Sequence, residues 1–129
     1  MPILIDGWNF IRDESSSIQD VESEALESAK LLIDYLAKFQ KTHSDPIVVV
    51  FDSSNEFLGI GYKNSPELSV VPASDADDYI KRYISKVPER QRRNVRVVSS
   101  DNDVYYYAKS YYAIPVKCKE FWDKLKKCI

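Results

Sequence analysis

Cysteine, histidine and long apolar runs are what this chain has least of. It holds two cysteines, Cys118 and Cys128, and one histidine, His43. On one helix the two thiols would stand about 15 Å apart, too far for a disulfide. Two cysteines and one histidine also exclude a structural zinc centre of the usual kind. The longest apolar run is Ile47 to Phe51, the length of a strand and far short of the roughly 18 residues of a membrane span. No basic stretch followed by an apolar one opens the chain, so no secretory signal is read and a cytoplasmic location without a membrane partner is expected. Repeats, linkers and low-complexity segments are also missing.

The remaining composition is that of one globular domain. There are 129 residues, 44% of them hydrophobic and 29% charged. The net charge of −2 hides an asymmetry. Residues 1–78 carry 5 Lys and Arg against 15 Asp and Glu, net −10; residues 79–129 carry 13 against 5, net +8. The basic part suggests a polyanionic partner, with a solvated basic face as the plainer alternative.

Apolar runs alternate with helical periodicity. Strands are expected at 3–5, 47–51, 68–71, 95–98 and 113–116. Helices are expected at about 20–40, 75–87, 102–110 and 118–128, and a loop at 53–67. This alternation predicts an α/β fold in three layers, with a mainly parallel sheet between helices. Right-handed crossovers put every strand-to-helix loop at the carboxyl edge of such a sheet.

Those loops are acidic. The strands lead into Asp6-Gly7-Trp8-Asn9, Asp52-Ser53-Ser54, Ser74-Asp75-Ala76-Asp77-Asp78 and Ser99-Ser100-Asp101-Asn102-Asp103. Each alone has a structural reading. Asp-Gly is a turn pair, Ser74 to Asp77 and Ser100 to Asp103 match capping boxes, and Asp78 can pair with Arg82 one turn on. Asp77 is different: Ile80 and Ile84 put it on the inward stripe of its helix, where a carboxylate needs a partner. Carboxylates converging on one crevice repel each other unless a cation sits among them. Oxygen donors suit Mg²⁺ or Mn²⁺, ions that activate water and stabilise displacement at a phosphodiester.

At these residues the chain resembles the NYN domains, a group with a PIN-like nuclease fold, and among them the YacP-like branch. The matching blocks are Ile3-Leu4-Ile5-Asp6-Gly7-Trp8-Asn9, Val48-Val49-Val50-Phe51-Asp52, Ala76-Asp77-Asp78-Tyr79-Ile80 and Val97-Val98-Ser99-Ser100-Asp101. Ala113-Ile114 through Glu120-Phe121 completes the order. Trp8 stands where the family usually has Tyr, and 53–67 does not align. The resemblance implies a PIN-like (Rossmann-like) domain over 1–129 and a Mg²⁺- or Mn²⁺-dependent endoribonuclease acting on RNA, messenger or ribosome-associated. It implies Asp6, Asp77 and Asp101 as catalytic, metal-binding acids, with Asp78 and Asp103 as further metal ligands. Asn9, Ser100, Asp52 and Lys109 are the expected substrate contacts.

Two other readings stand beside it. One is a non-catalytic RNA-binding or ribosome-associated module of the same fold. The other is a phosphoacceptor receiver domain with Asp52 as acceptor, although its first strand would be followed by an acidic pair. Arg90, Arg92, Arg93 and Arg96 form a basic cluster that falls at the amino edge, opposite the acids. Tyr105-Tyr106-Tyr107 and Tyr111-Tyr112 could stack on single-stranded RNA, though part of such a run must face the core.

Overall fold

A computed structural model describes residues 2–21, 24–52 and 64–129, without the side chains of residues 20 and 21. Most of the expected 53–67 loop lies outside the described residues. The elements run β1 (Ile3–Asp6), α1 (Gly7–Arg12), α2 (Ile18–Val21), α3 (Ala25–Gln40), β2 (Ile47–Asp52), β3 (Leu68–Ala73), α4 (Ala76–Lys86), α5 (Glu89–Arg92), β4 (Arg96–Val98), α6 (Asn102–Ser110), β5 (Ile114–Val116) and α7 (Cys118–Leu125), ending in a 3-10 turn, Lys126–Cys128.

Among the described residues the strands form one five-stranded sheet in the order β3-β2-β1-β4-β5, and every pairing is parallel. The expected three-layer α/β fold is observed. Alternation along β1 sorts the layers. Ile3 and Ile5 pack with α1, α2, α3 and α7 through Phe10, Ile11, Ile18, Leu32, Leu36 and Phe121. Leu4 faces the other side, with Ile80 and Ile84 of α4 and Val104 and Ala108 of α6. Pro72 and Pro115 fall on the edge strands β3 and β5, where a missing N–H is tolerated.

The strand order excludes the receiver reading. A flavodoxin-like receiver has the order 2-1-3-4-5, with the third strand beside the first. Here β1 lies between β2 and β4, and β3 is at the edge.

The helical reading needs correction in four places. The helix expected from residue 20 begins at Ala25, because Glu24 is extended (φ −78°, ψ 138°) and a separate α2 buries Ile18. Helices α1 and α5 were not expected. Helix α1 is only six residues long and opens on Gly-Trp-Asn, a poor helix-forming start. It is held by its cap and by burial of Phe10 and Ile11. The capping boxes are displaced by one residue: the caps of α4 and α6 are Asp75 and Asp101, not Ser74 and Ser100. The two cysteines are free, as expected.

Gly7 is where β1 passes into α1 without a loop. A Cβ built there would lie 2.5–2.9 Å from the Phe51 ring. That ring is fully buried and meets Trp8 edge-on at 4.9 Å. Gly7→Ala therefore sets a helix-propensity gain of at most about 1 kcal/mol against an overpacking cost of about 1–3 kcal/mol. We expect a net loss of stability in urea unfolding. An unchanged or higher midpoint would mean that Phe51 moves aside freely.

Candidate active site

Three elements bring three aspartates to the carboxyl edge. Asp6 ends the central strand β1 and caps α1, accepting from the Asn9 N–H at 3.4 Å. Asp77 lies in the first turn of α4. Asp101 follows β4 and caps α6, its Oδ1 accepting from the N–H groups of Asp103 at 2.8 Å and Val104 at 3.3 Å. A parallel sheet makes this convergence unavoidable, since β1 and β4 are adjacent and α4 packs across β1 and β2.

Asp6 is 7% exposed. Burial pushes its carboxyl up to about 7, and the charges of Asp77 and Asp101 push the same way against the Asn9 N–H. Asp77 is also raised, by burial first and then by Asp101 and Asp75, with the Lys81 ammonium opposing. Asp6 and Asp77 share a hydrogen bond that raises Asp6 and lowers Asp77, so the shared proton belongs to Asp6. Each of the three carboxylates works against the others, and no cation among the described residues is buried between them.

Asn9 is a clamp. Its Oδ1 accepts from the Ser100 N–H at 2.8 Å, the Ser99 hydroxyl at 3.3 Å and the Cys118 thiol at 3.4 Å. One amide oxygen thus ties α1 to the β4–α6 loop and to the start of α7. Burial pushes the Cys118 thiol up to about 11, so it stays a protonated donor. Ser100 is engaged structurally too: its hydroxyl accepts from the Cys118 N–H at 3.4 Å and bonds to Asp13. At Asp13 burial favours the neutral acid, but the Ser15 and Ser100 bonds outweigh it and hold the carboxyl below its ordinary range.

The other expected site residues have partners or positions of their own. Asp78 pairs with Arg82 at 2.9 Å on the exposed side of α4. Asp103 pairs with Lys81 at 2.6 Å. Asp52 lies exposed at the end of β2, and its backbone carbonyl accepts from the Trp8 indole at 2.9 Å. Lys109 is in the last turn of α6, at the far end of that helix from Asp101. Two members of the site were missed in the sequence, Lys81 and Asp75. Lys81 was detectable as the i+4 neighbour of Asp77, and Asp75 as the acid directly before the helix.

The raised Asp6 carboxyl predicts a pH dependence. Between its ordinary value of 3.8 and about 7 the folded protein keeps a proton that the unfolded chain releases. Metal-free stability therefore falls as pH rises through that window and levels off above it, by at most about 4 kcal/mol. Asp6→Asn keeps a good cap and removes most of this slope. Urea unfolding at several pH values in a chelator tests this, and parallel curves for the two proteins would contradict it.

The YacP-like NYN domain profile matches residues 3–129. No curated protein matches the chain. Two crystal structures of Rae1 (YacP) from Bacillus subtilis superpose on it with TM-scores of 0.75 and, for a point mutant, 0.74, each at 19% identity. They cover 99% of this chain, which in turn covers 75% and 76% of theirs. At that identity the likeness is one of fold, whereas the profile covers nearly every residue. The chain belongs to the YacP-like NYN domain family.

Proposed function

We propose that the chain is a divalent-metal-dependent endoribonuclease that cuts RNA at the Asp6, Asp77 and Asp101 edge. Family membership supports the coarse part, nuclease chemistry on RNA. The observation that carries the finer part is Asp6: a buried carboxyl pushed to about 7 at the end of the central strand, with two further acids pressing on it. Such a crowd is costly unless it serves a cation.

The donors fit a hard ion in a particular way. Among the described residues no group of three His, Cys, Asp or Glu could hold a metal by itself. Mg²⁺ is commonly held by one or two carboxylates together with waters and substrate phosphate oxygens. Asp6 and Asp77 would hold the ion, with Asp101 beside them, and a phosphate of the RNA would complete its shell. When bound, the ion supplies water activation and charge neutralisation at the phosphodiester. Asp77 gives up its hydrogen bond from Asp6 as Asp6 loses its proton. Asn9 holds the loop that carries Asp101. Lys81, between Asp77 and Asp103, sets positive charge where a phosphate would approach. The basic residues 79–129 suit a polyanion such as a messenger RNA or a ribosomal surface.

The missing three-ligand group also favours a second reading, a non-catalytic RNA-binding module. One experiment separates the two. Mn²⁺ is titrated against thermal stability for wild type, Asp6→Asn and Asp77→Asn, with and without a non-cleavable RNA analogue, beside a cleavage assay on labelled RNA. We expect Mn²⁺ to stabilise the wild type by about 2.7 kcal/mol at a hundred times its Kd, and both variants to lose this. Asp77→Asn should abolish cleavage while metal-free stability holds or rises, because one of the acids crowding the site is gone. No Mn²⁺ effect and no cleavage, with RNA still bound, would decide for the module. A metal-free loss of stability in Asp77→Asn would make Asp77 a structural acceptor.

A further inference from the structure

The arginine cluster and the tyrosine run meet on the side of the molecule opposite the acids. Glu89, Arg90, Arg93 and Tyr112 line an open cleft of about 530 Å³, within the roughly 300–1,000 Å³ of small-ligand sites. It opens where α5 leads into β4 and α6 leads into β5, at the amino edge of the sheet. Arg90, Arg93 and Tyr112 are exposed, Tyr112 to 64%.

Tyr112 is held in a conformation that tyrosine resists. Its φ is +67°, and among the described residues no other non-glycine has a positive φ. The cause is a Schellman end to α6: the Ala113 N–H donates to the Ala108 carbonyl at 2.9 Å, and the Tyr112 N–H to that of Lys109 at 3.2 Å. The left-handed position of this motif usually takes glycine. A large exposed aromatic there costs stability and recovers little by burial. Its ring is therefore the feature to be explained.

A row of cations and rings joins this cleft to the acidic edge. The Lys81 ammonium, bonded to Asp103, stands 5.5 Å from the Tyr107 ring centre. Tyr107 stacks on Tyr111 with ring centres 4.3 Å apart and 11° between the planes. The Arg92 guanidinium lies 5.6 Å from the Tyr111 ring centre and donates to the Val87 and Ser85 carbonyls. Helix α6 alone spans about 13 Å of this path.

We infer that the Arg90–Arg93–Tyr112 cleft is a second docking site for single-stranded RNA, away from the cutting edge, in which Tyr112 stacks on a base and the two guanidiniums hold flanking phosphates. The inference rests on the RNA reading above. Exposed aromatic faces beside unburied guanidiniums suit a single strand, since every base has a face to stack and every linkage a charge to pair. Glu89 leaves the lining with a net charge of +1, within a stretch of net charge +8. The site thus positions a longer strand without reading its sequence.

The test is fluorescence anisotropy with a labelled oligouridylate of about twelve nucleotides, in chelator so that nothing is cut. Thermal melts of the same full-length proteins run alongside. Tyr112→Gly should weaken binding roughly tenfold while Tm holds or rises by about 4 °C, since the left-handed position accepts glycine. Arg90→Ala with Arg93→Ala should also weaken binding and reduce the slope of log affinity on log salt by about 1.4, for two lost phosphate contacts. Wild-type affinity and slope in both variants, with the wild type still cutting RNA in Mn²⁺, would overturn the docking site and leave the proposed function standing. Affinity and Tm falling together in Tyr112→Gly would make Tyr112 a packing residue and overturn its stacking role. A wild type that neither binds nor cuts RNA would overturn the proposed function, and the docking site with it.

Discussion

A carboxylate at the end of a central parallel strand has little freedom. Asp6 belongs to β1, which pairs on both sides, and it caps α1 in the same step. Its position is therefore set by two ladders and a helix together. Water has been displaced from around it, and two other acids press on it, one from the first turn of α4 and one from the start of α6. The local fold accepts this electrostatic cost because its apolar residues, Leu4, Ile5, Phe10 and Ile11, are almost wholly buried. The carboxyl therefore holds its proton up to about 7, and that is what makes the edge chemically interesting.

Around Asp6 the rest of the edge is organised by neutral groups. The Asn9 amide oxygen gathers three donors from two other segments, including a buried thiol. Losing it would leave those donors unsatisfied, at a cost of about 1–3 kcal/mol each where they are buried. The clamp keeps the Asp101 loop in register with α1. The same Asp101 that faces the other acids also satisfies two backbone N–H groups of α6. Capping and site-building are one act here. That is why the sequence offers a capping explanation for nearly every acid, and why that explanation competes so well with the functional one.

Charge pairing sorts the remaining acids. Asp78 and Asp103 lie within a residue or two of site positions in sequence, yet Arg82 and Lys81 hold them in ion pairs at the surface. Lys81 belongs to both settings, lowering Asp77 and closing on Asp103. It also starts the row of rings and cations that leads along α6 toward Arg92. The two edges of the sheet differ accordingly, one crowded with carboxylates and the other lined by arginine and tyrosine.

Much of this was legible in the residues. Alternating strand and helix patterns determined the parallel α/β fold, because a run such as Ile47 to Phe51 has to be covered on both faces. Asp6, Asp77 and Asp101 were legible because each follows a strand or opens the next helix, and a parallel sheet sends all such positions to one edge. Helix α1 was not, since six residues of weak propensity owe their helix to the Asp6 cap and to the core beneath Phe10. The separate settings of Asp77 and Asp78 were legible as well, since helical spacing turns the first to the inward stripe of α4 and the second toward Arg82. The order β3-β2-β1-β4-β5 and the Asn9 clamp belong to tertiary structure alone. Each depends on groups brought together from far along the chain, and no local pattern encodes a contact between residues 9 and 118.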